Sequence, residues 1–228
     1  MSAINVIGFD ADDTLWENEA HYKLTEARFT GLLQDYADSS HLSARLLAAE
    51  RRNLGHYGYG IKGFTLSMIE TALEVTEGRA PAAVIQSILD AGRDLHNHPT
   101  PLLPQVQATL EALSHPLILI TKGDLFDQER KIAQSGLANL FVEIHIVSEK
   151  TARTYERAFA PYGAAMMVGN SLKSDILPAL EAGTWGVHIP AAQEWALEAA
   201  APPDSRRFRR LDNMAQLPKL LAELEGKL

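Results

Sequence analysis

The chain is predicted to be an α/β protein, a doubly wound parallel sheet carrying an all-helical insertion after its first strand. Three observations predict this. Apolar runs that mostly lack apolar/polar alternation recur at residues 4–9, 117–120, 143–147, 165–168 and 185–189, as expected of strands covered on both faces. Segments with helical spacing separate the last four runs, and parallel strands need such crossovers. From about residue 19 to about 98 only helical periodicity is found.

The first strand is read at residues 4–9. In the insertion, apolar residues fall at three- and four-residue spacings: Leu24, Phe29, Leu32 and Leu33, then Leu42, Leu46 and Leu47, then Phe64, Met68, Ile69 and Leu73. A further helix is expected over 82–95, with Pro81 at its start, where a missing N–H does no harm. Residues 55–60 and 96–101 read as loops, the second holding His96 and His98. Helices are then expected at 105–114, 126–135, 151–162 and 174–182, alternating with the strands. Residues 1–16 and 100–228 would form the α/β core and residues 17–99 the helical domain. Ala199-Ala200-Ala201-Pro202-Pro203 is the nearest thing to a flexible break.

Bulk properties narrow the function classes. The 228 residues, 46% hydrophobic, suffice for a sizeable core. With 21 basic and 29 acidic residues the formal net charge is −8, a poor match to nucleic acid, whose phosphates call for a basic face. The basic run Arg206-Arg207-Phe208-Arg209-Arg210 reads as a solvated loop or helix face. Cysteine is absent, which excludes disulfides and thiolate metal sites. No run approaches the roughly 18 apolar residues of a membrane span. The first strand begins so early that no signal peptide is expected ahead of it. A soluble, cytoplasmic protein, monomer or homodimer, is expected, with neither nucleic acid nor membrane as partner.

Chemistry concentrates at strand ends. Asp10 and Asp12 follow the first strand, and alternate residues of an extended chain point the same way. Two close carboxylates repel unless a proton or metal ion separates them. The second strand ends at Thr121-Lys122-Gly123-Asp124, the third delivers Val147-Ser148-Glu149-Lys150, and the fourth ends at Gly169-Asn170-Ser171, with Asp175 opening the next helix. A parallel sheet gathers these groups at one edge. Together they could transfer a phosphoryl group: a carboxylate attacks phosphorus, a hydroxyl and an ammonium hold phosphate oxygens, and magnesium neutralises charge.

These four motifs, in this order, resemble those of the haloacid dehalogenase-like hydrolase superfamily: Asp10-x-Asp12-x-Thr14, then Thr121, then Lys150, then Gly169-Asn170-Ser171 with Asp175. The resemblance covers essentially the whole chain and implies a Rossmann-like core with a mobile helical cap. It implies that Asp10 is the nucleophile and Asp12 the acid and base. Thr121 and Lys150, with Lys122 beside them, would hold the phosphoryl group. Asp10, the Asp12 main-chain carbonyl, Asn170 and Asp175 would hold Mg2+. Two departures stand out. Asp13 occupies a place where the family often has Gly; its carboxylate could simply point to solvent, but it adds negative charge near a phosphate site. Asn170 replaces a usually acidic metal ligand.

Each residue also has a simpler reading. Asp10 and Asp12 could end a strand as exposed acids, Thr121 could cap a helix, and Lys150 could be an ordinary surface lysine. Asp175 could merely favour a helix dipole. In the insertion, Tyr57, Tyr59 and Lys62 could face a substrate from a glycine-punctuated loop, and Trp16 and Asn18 could line the cleft. Trp16, Tyr57 and Tyr59 would also offer stacking surfaces for a base.

The expected activity is magnesium-dependent hydrolysis of a small phosphorylated metabolite, such as a nucleoside monophosphate, phosphoglycolate or a sugar phosphate. A 2-haloacid dehalogenase, a phosphate-transferring mutase and a weakly active ligand-binding protein are the rivals.

Overall fold

The computed structural model describes residues 4–226. Six strands, β1 (Val6–Phe9), β2 (Leu117–Lys122), β3 (Glu143–Val147), β4 (Ala165–Gly169), β5 (Trp185–His188) and β6 (Phe208–Arg210), form one parallel sheet in the order β3-β2-β1-β4-β5-β6. This is the doubly wound order, in which the chain builds outward on one side of β1, then returns to build outward on the other. Ligands in such sheets bind at the reversal, beyond the carboxyl ends of the strands either side of it. Here those are β1 and β4, whose registers align Phe9 with Val168.

Nine helices accompany the sheet among the described residues: α1 (Glu19–Leu32), α2 (Ser39–Tyr57), α3 (Ile61–Val75), α4 (Ala82–His96), α5 (Val106–Ala112), α6 (Leu125–Ser135), α7 (Ala152–Phe159), α8 (Leu177–Glu181) and α9 (Leu217–Leu224). None is long and apolar enough to cross a membrane.

The chain separates into two compact units. One comprises residues up to 19, 100–122 and 130 onward; the other comprises 20–99 with 123–129. In the first, side chains leave the strands alternately to two faces. Ile7, Phe9, Leu117, Leu119, Met166 and Val168 pack on one, and Val6, Ile118, Ile120, Ala165 and Met167 on the other. Gly8 is required by close approach, because a Cβ there would lie 2.6 Å from the Phe159 ring. The second unit has its own apolar core, built on Phe29, Leu33, Leu42, Leu46, Met68 and Ile88. Beside that core, buried Asn53 donates to Glu70 (2.9 Å) and Ser67 (3.1 Å), tying α2 to α3.

Several sequence expectations need correction. The basic run is only in part a loop: Arg206 and Arg207 lie in a turn, but residues 208–210 form β6, with Arg209 stacked 4.9 Å over the Trp185 ring. Charge on an edge strand discourages pairing with other chains, which explains how so polar a segment joins the sheet. The glycine-punctuated loop is shorter than expected, since α2 runs to Tyr57 and α3 starts at Ile61. Glycines at 58 and 60, with φ of 70° and 102°, make the turn between them. His96 closes α4 instead of lying in a loop, and it stacks on Phe126. The expected helix at 174–182 is a π-helical turn, Leu172–Ile176, followed by α8.

Candidate active site

The site forms where β1 and β4 end. After Phe9 the chain makes a tight turn in which the N–H groups of Thr14 and Leu15 both donate to the Ala11 carbonyl (3.2 and 2.8 Å). The turn needs a left-handed residue, and Asp13 supplies it at φ 60°, a conformation Asp tolerates better than most non-glycine residues. That accounts for a glycine-like position. The Asp13 carboxylate does not point to solvent: it accepts the N–H groups of Asn18 and Glu19 at 3.0 Å and so caps the start of α1. Burial lifts its pKa to about 6.

Asp10 is buried, and each of its carboxylate oxygens is engaged. Oδ1 accepts from the Lys150 ammonium, which also donates to Asp175 Oδ1 at 2.7 Å. Oδ2 accepts from the Thr14 hydroxyl at 3.2 Å. The Asn170 amide completes the enclosure. With its nitrogen turned inward it donates to Asp10 Oδ2 (3.0 Å), the Asp12 carbonyl (3.2 Å) and Thr14 Oγ1 (3.1 Å). With its oxygen turned inward it accepts from Thr14 Oγ1. In that second orientation the oxygens of Asp10, Asp12 and Asn170 converge, a donor set suited to a hard divalent cation.

Burial and the nearby Asp175 charge push the Asp10 pKa up to about 7, against the pull of Lys150. Burial alone would lower Lys150, but the Asp10 and Asp175 carboxylates hold it well above the usual lysine range. One cation therefore serves two carboxylates, and a further positive charge at Asp10 would be favoured.

Asp175 is placed by contact rather than by helix dipole. Its Oδ2 accepts the Ser171 N–H at 2.9 Å, and a Cβ on Gly169 would lie 2.3 Å from that same oxygen. Only glycine at 169 lets the carboxylate in. Asp175 is linked to Asp10 through Lys150, which donates to both carboxylates. Among the described residues there is no group of three or more His, Asp or Glu side chains arranged to hold a metal.

The structure distributes the remaining sequence candidates unevenly. The carboxylate of Asp12 accepts from Lys131 (2.6 and 2.7 Å) and from the Trp16 indole N–H (2.7 Å). Trp16 is wholly buried in the core, so it cannot stack on a ligand base; its role is to hold Asp12. Asn18 accepts from Lys131 at 3.2 Å. Thr121 is buried at the end of β2, next to β1 in the sheet. Lys122 follows it, its ammonium directed to Glu198 and Ser174, both at 2.7 Å. Tyr57, Tyr59 and Lys62 belong to the helical unit, where the Tyr57 hydroxyl donates to Glu70 (3.1 Å) and Lys62 pairs with Asp124 (2.9 Å).

Sequence reasoning missed three participants. Lys131 lies on α6 and carries no motif. Glu198 lies in irregular chain beyond β5. His188 ends β5, and its ring Nε2 lies 2.9 Å from the Asn170 carbonyl; burial lowers its pKa, so the neutral ring donates there and steadies the loop after β4. An apolar strand ending in a histidine was the one available signal among the three.

The sheet order and this carboxylate-lysine centre define a class of hydrolase, and comparison with known proteins agrees. A model of the haloacid dehalogenase-like hydrolases matches residues 4–183, and the chain belongs to that family. Its structure is similar to that of a haloacid dehalogenase-like hydrolase from Xanthomonas campestris, with 43% identity, 99% of this chain and 93% of that one covered, and a TM-score of 0.88. It shares its fold with a predicted phosphoglycolate phosphatase from Haemophilus somnus (19% identity, 96% and 99% covered, TM-score 0.65). It shares it also with a 2-haloacid dehalogenase from Pseudomonas syringae (22% identity, 97% and 99% covered, TM-score 0.60). No curated protein matches the chain.

Proposed function

We propose that this hydrolase cleaves small phosphomonoesters through an aspartyl-phosphate on Asp10, with magnesium as cofactor and the helical unit serving as substrate-selecting cap. The observation that carries the reading is the second carboxylate, Asp12, held by Lys131 and Trp16 two residues beyond the nucleophile. Displacing a halide from carbon needs no proton, whereas expelling an alkoxide from phosphorus does. An acid beside the nucleophile has work in the second reaction and none in the first.

In the proposed sequence the ionised Asp10 carboxylate attacks phosphorus, and the bond from phosphorus to the ester oxygen breaks. Asp12 gives that oxygen a proton, then takes one from the water that attacks the acyl-phosphate. Inorganic phosphate leaves and Asp10 is regenerated. Lys150 and Thr121 hold the oxygens of the transferring group, and Lys150 keeps Asp10 oriented throughout. Asp10 Oδ2, the Asp12 carbonyl and the Asn170 side-chain oxygen would hold Mg2+, which supplies charge neutralisation when bound. With an amide in place of the usual acid, this ligand set carries one negative charge fewer, so weak metal binding is expected. Burial of Trp16 removes one of the three stacking surfaces for a nucleobase. Compact phosphorylated acids and sugars are the preferred substrates in this reading.

The test is a panel of phosphate esters with magnesium, manganese and cobalt, run beside 2-chloropropionate. Phosphate release that is absent in Asp10→Asn supports the proposal. Chloride release without phosphate release would transfer the protein to the dehalogenase reading, and neither product from the parent would favour a binding protein.

A further inference from the structure

Glu198 comes from the irregular segment after β5, yet it reaches two parts of the centre at once. Its Oε1 accepts from Lys122 at 2.7 Å, and its Oε2 accepts from the hydroxyls of Ser171 and Ser174, both at 2.5 Å. Lys122 also donates to Ser174 Oγ, and the Ser174 N–H donates to Ser171 Oγ at 2.9 Å. Glu149 lies 3.8 Å from the same ammonium. Both serines are buried, and the side chains of Lys122 and Glu198 are each only 13% exposed. A second tie holds the segment in place: Lys173 donates to the Leu197 carbonyl at 2.6 Å.

The strand order gives this cluster its meaning. Lys122 ends β2, and Ser171 and Ser174 follow β4. β2 and β4 are the two neighbours of β1, which delivers Asp10. One carboxylate therefore bridges the strands that flank the nucleophile. On the β4 side, Ser171 also donates its N–H to Asp175, Asp175 accepts from Lys150, and Lys150 contacts Asp10. On the β2 side, Lys122 adjoins Thr121.

We propose that Glu198 is a positioning residue for the Asp10 reaction: it binds the Lys122 ammonium and the two serines so that the β2 and β4 ends stay in register around the nucleophile. Lys122 is thereby neutralised and drawn to the chain's own carboxylate, and phosphate binding is left to Lys150 and Thr121. The inference rests on the hydrolase reading for its activity measurements, and needs only attack by Asp10, so it applies to either leaving group.

The test compares the parent with Glu198→Gln, Glu198→Asp, Lys122→Met and the Lys122→Met/Glu198→Gln double variant. Mutating the hydrogen-bonded partners that orient metal-ligating side chains typically costs about 10- to 100-fold, and Glu198 stands at a comparable remove from Asp10. A kcat loss of that order is expected for Glu198→Gln, while KM for an anionic substrate stays level or falls because Lys122 is released. Glu198→Asp should recover part of the kcat. The double variant should be no worse than the poorer single, because it leaves no charge stranded. A readout independent of turnover is acetylation of Lys122 by acetic anhydride, followed by mass spectrometry: protected in the parent, exposed in Glu198→Gln. A Glu198→Gln enzyme within twofold of the parent in kcat, even with a lowered Tm, overturns the proposal, as does unchanged protection of Lys122. A parent that releases chloride but no phosphate fails the phosphatase reading alone, and the same comparison then runs on chloride.

Discussion

In the proposed reaction Asp10 carries the chemistry, and its environment makes its behaviour predictable. Burial and Asp175 push its pKa up to about 7, so without magnesium the carboxyl becomes increasingly protonated, and less able to attack, as the pH falls below that value. A 13C carboxyl titration of Asp10 should show a midpoint near 7, moving to lower pH with magnesium because an adjacent cation favours the charged form. A midpoint indifferent to magnesium would count against the metal assignment. Gly169 is a second sensitive position. In Gly169→Ala the new Cβ collides with the Asp175 carboxylate, so Lys150 loses its second partner; we expect overpacking to cost about 1–3 kcal/mol in urea denaturation and a fall in kcat. Asp13 separates strain from capping. Asp13→Gly relieves the left-handed conformation at φ 60° but loses the two N–H bonds, whereas Asp13→Ala loses the bonds and keeps the strain. Alanine should therefore be the less stable by about 1 kcal/mol.

At the scale of elements, α6 matters through one side chain. Lys131 is largely buried and donates to both oxygens of Asp12. Lys131→Met removes that ammonium from the carboxylate, while the Trp16 N–H still donates to it. Breaking a buried pair from one side costs about 3–5 kcal/mol, and the 22% exposure of the Asp12 side chain places the expectation at or below the low end. Denaturation measures the stability, and a panel of esters with differing leaving groups shows whether Asp12 still delivers its proton. β6 shows why short polar elements escape a reading by pattern: three residues, two of them arginine, offer no apolar run to detect. Their place in the sheet is secured by main-chain pairing with β5, the Arg209–Trp185 stack and the Arg207 contact to the Gly183 carbonyl.

For the whole molecule, two compact units with separate apolar cores imply departure from two-state unfolding. Calorimetry should give a calorimetric enthalpy larger than the van't Hoff enthalpy, or two resolved transitions; a ratio of one would show that the units melt together. The helical unit also takes in residues 123–129, which lie beyond the second motif in sequence. Helical periodicity marked residues 19–98 as one block, but it could not assign this later segment, whose link to the rest of the unit is made by Lys62 with Asp124 and His96 with Phe126 and Asp127.

The sequence by itself determined five of the six strands and the place of the candidate site residues at or after their ends, because buried parallel strands need largely apolar runs and the motif residues follow where those runs end. Asp10, Asp12, Thr121, Lys150 and Asp175 are all legible in that way. Only the tertiary structure decided what each side chain faces. It turned Asp13 inward as a helix cap, made Trp16 a buried support for Asp12, tied Lys122 to Glu198, and brought Lys131 to the acid. These pairings join residues between 4 and 119 positions apart; the short ones depend on the turn after β1 and the long ones on the strand order, and no helical or strand periodicity encodes either.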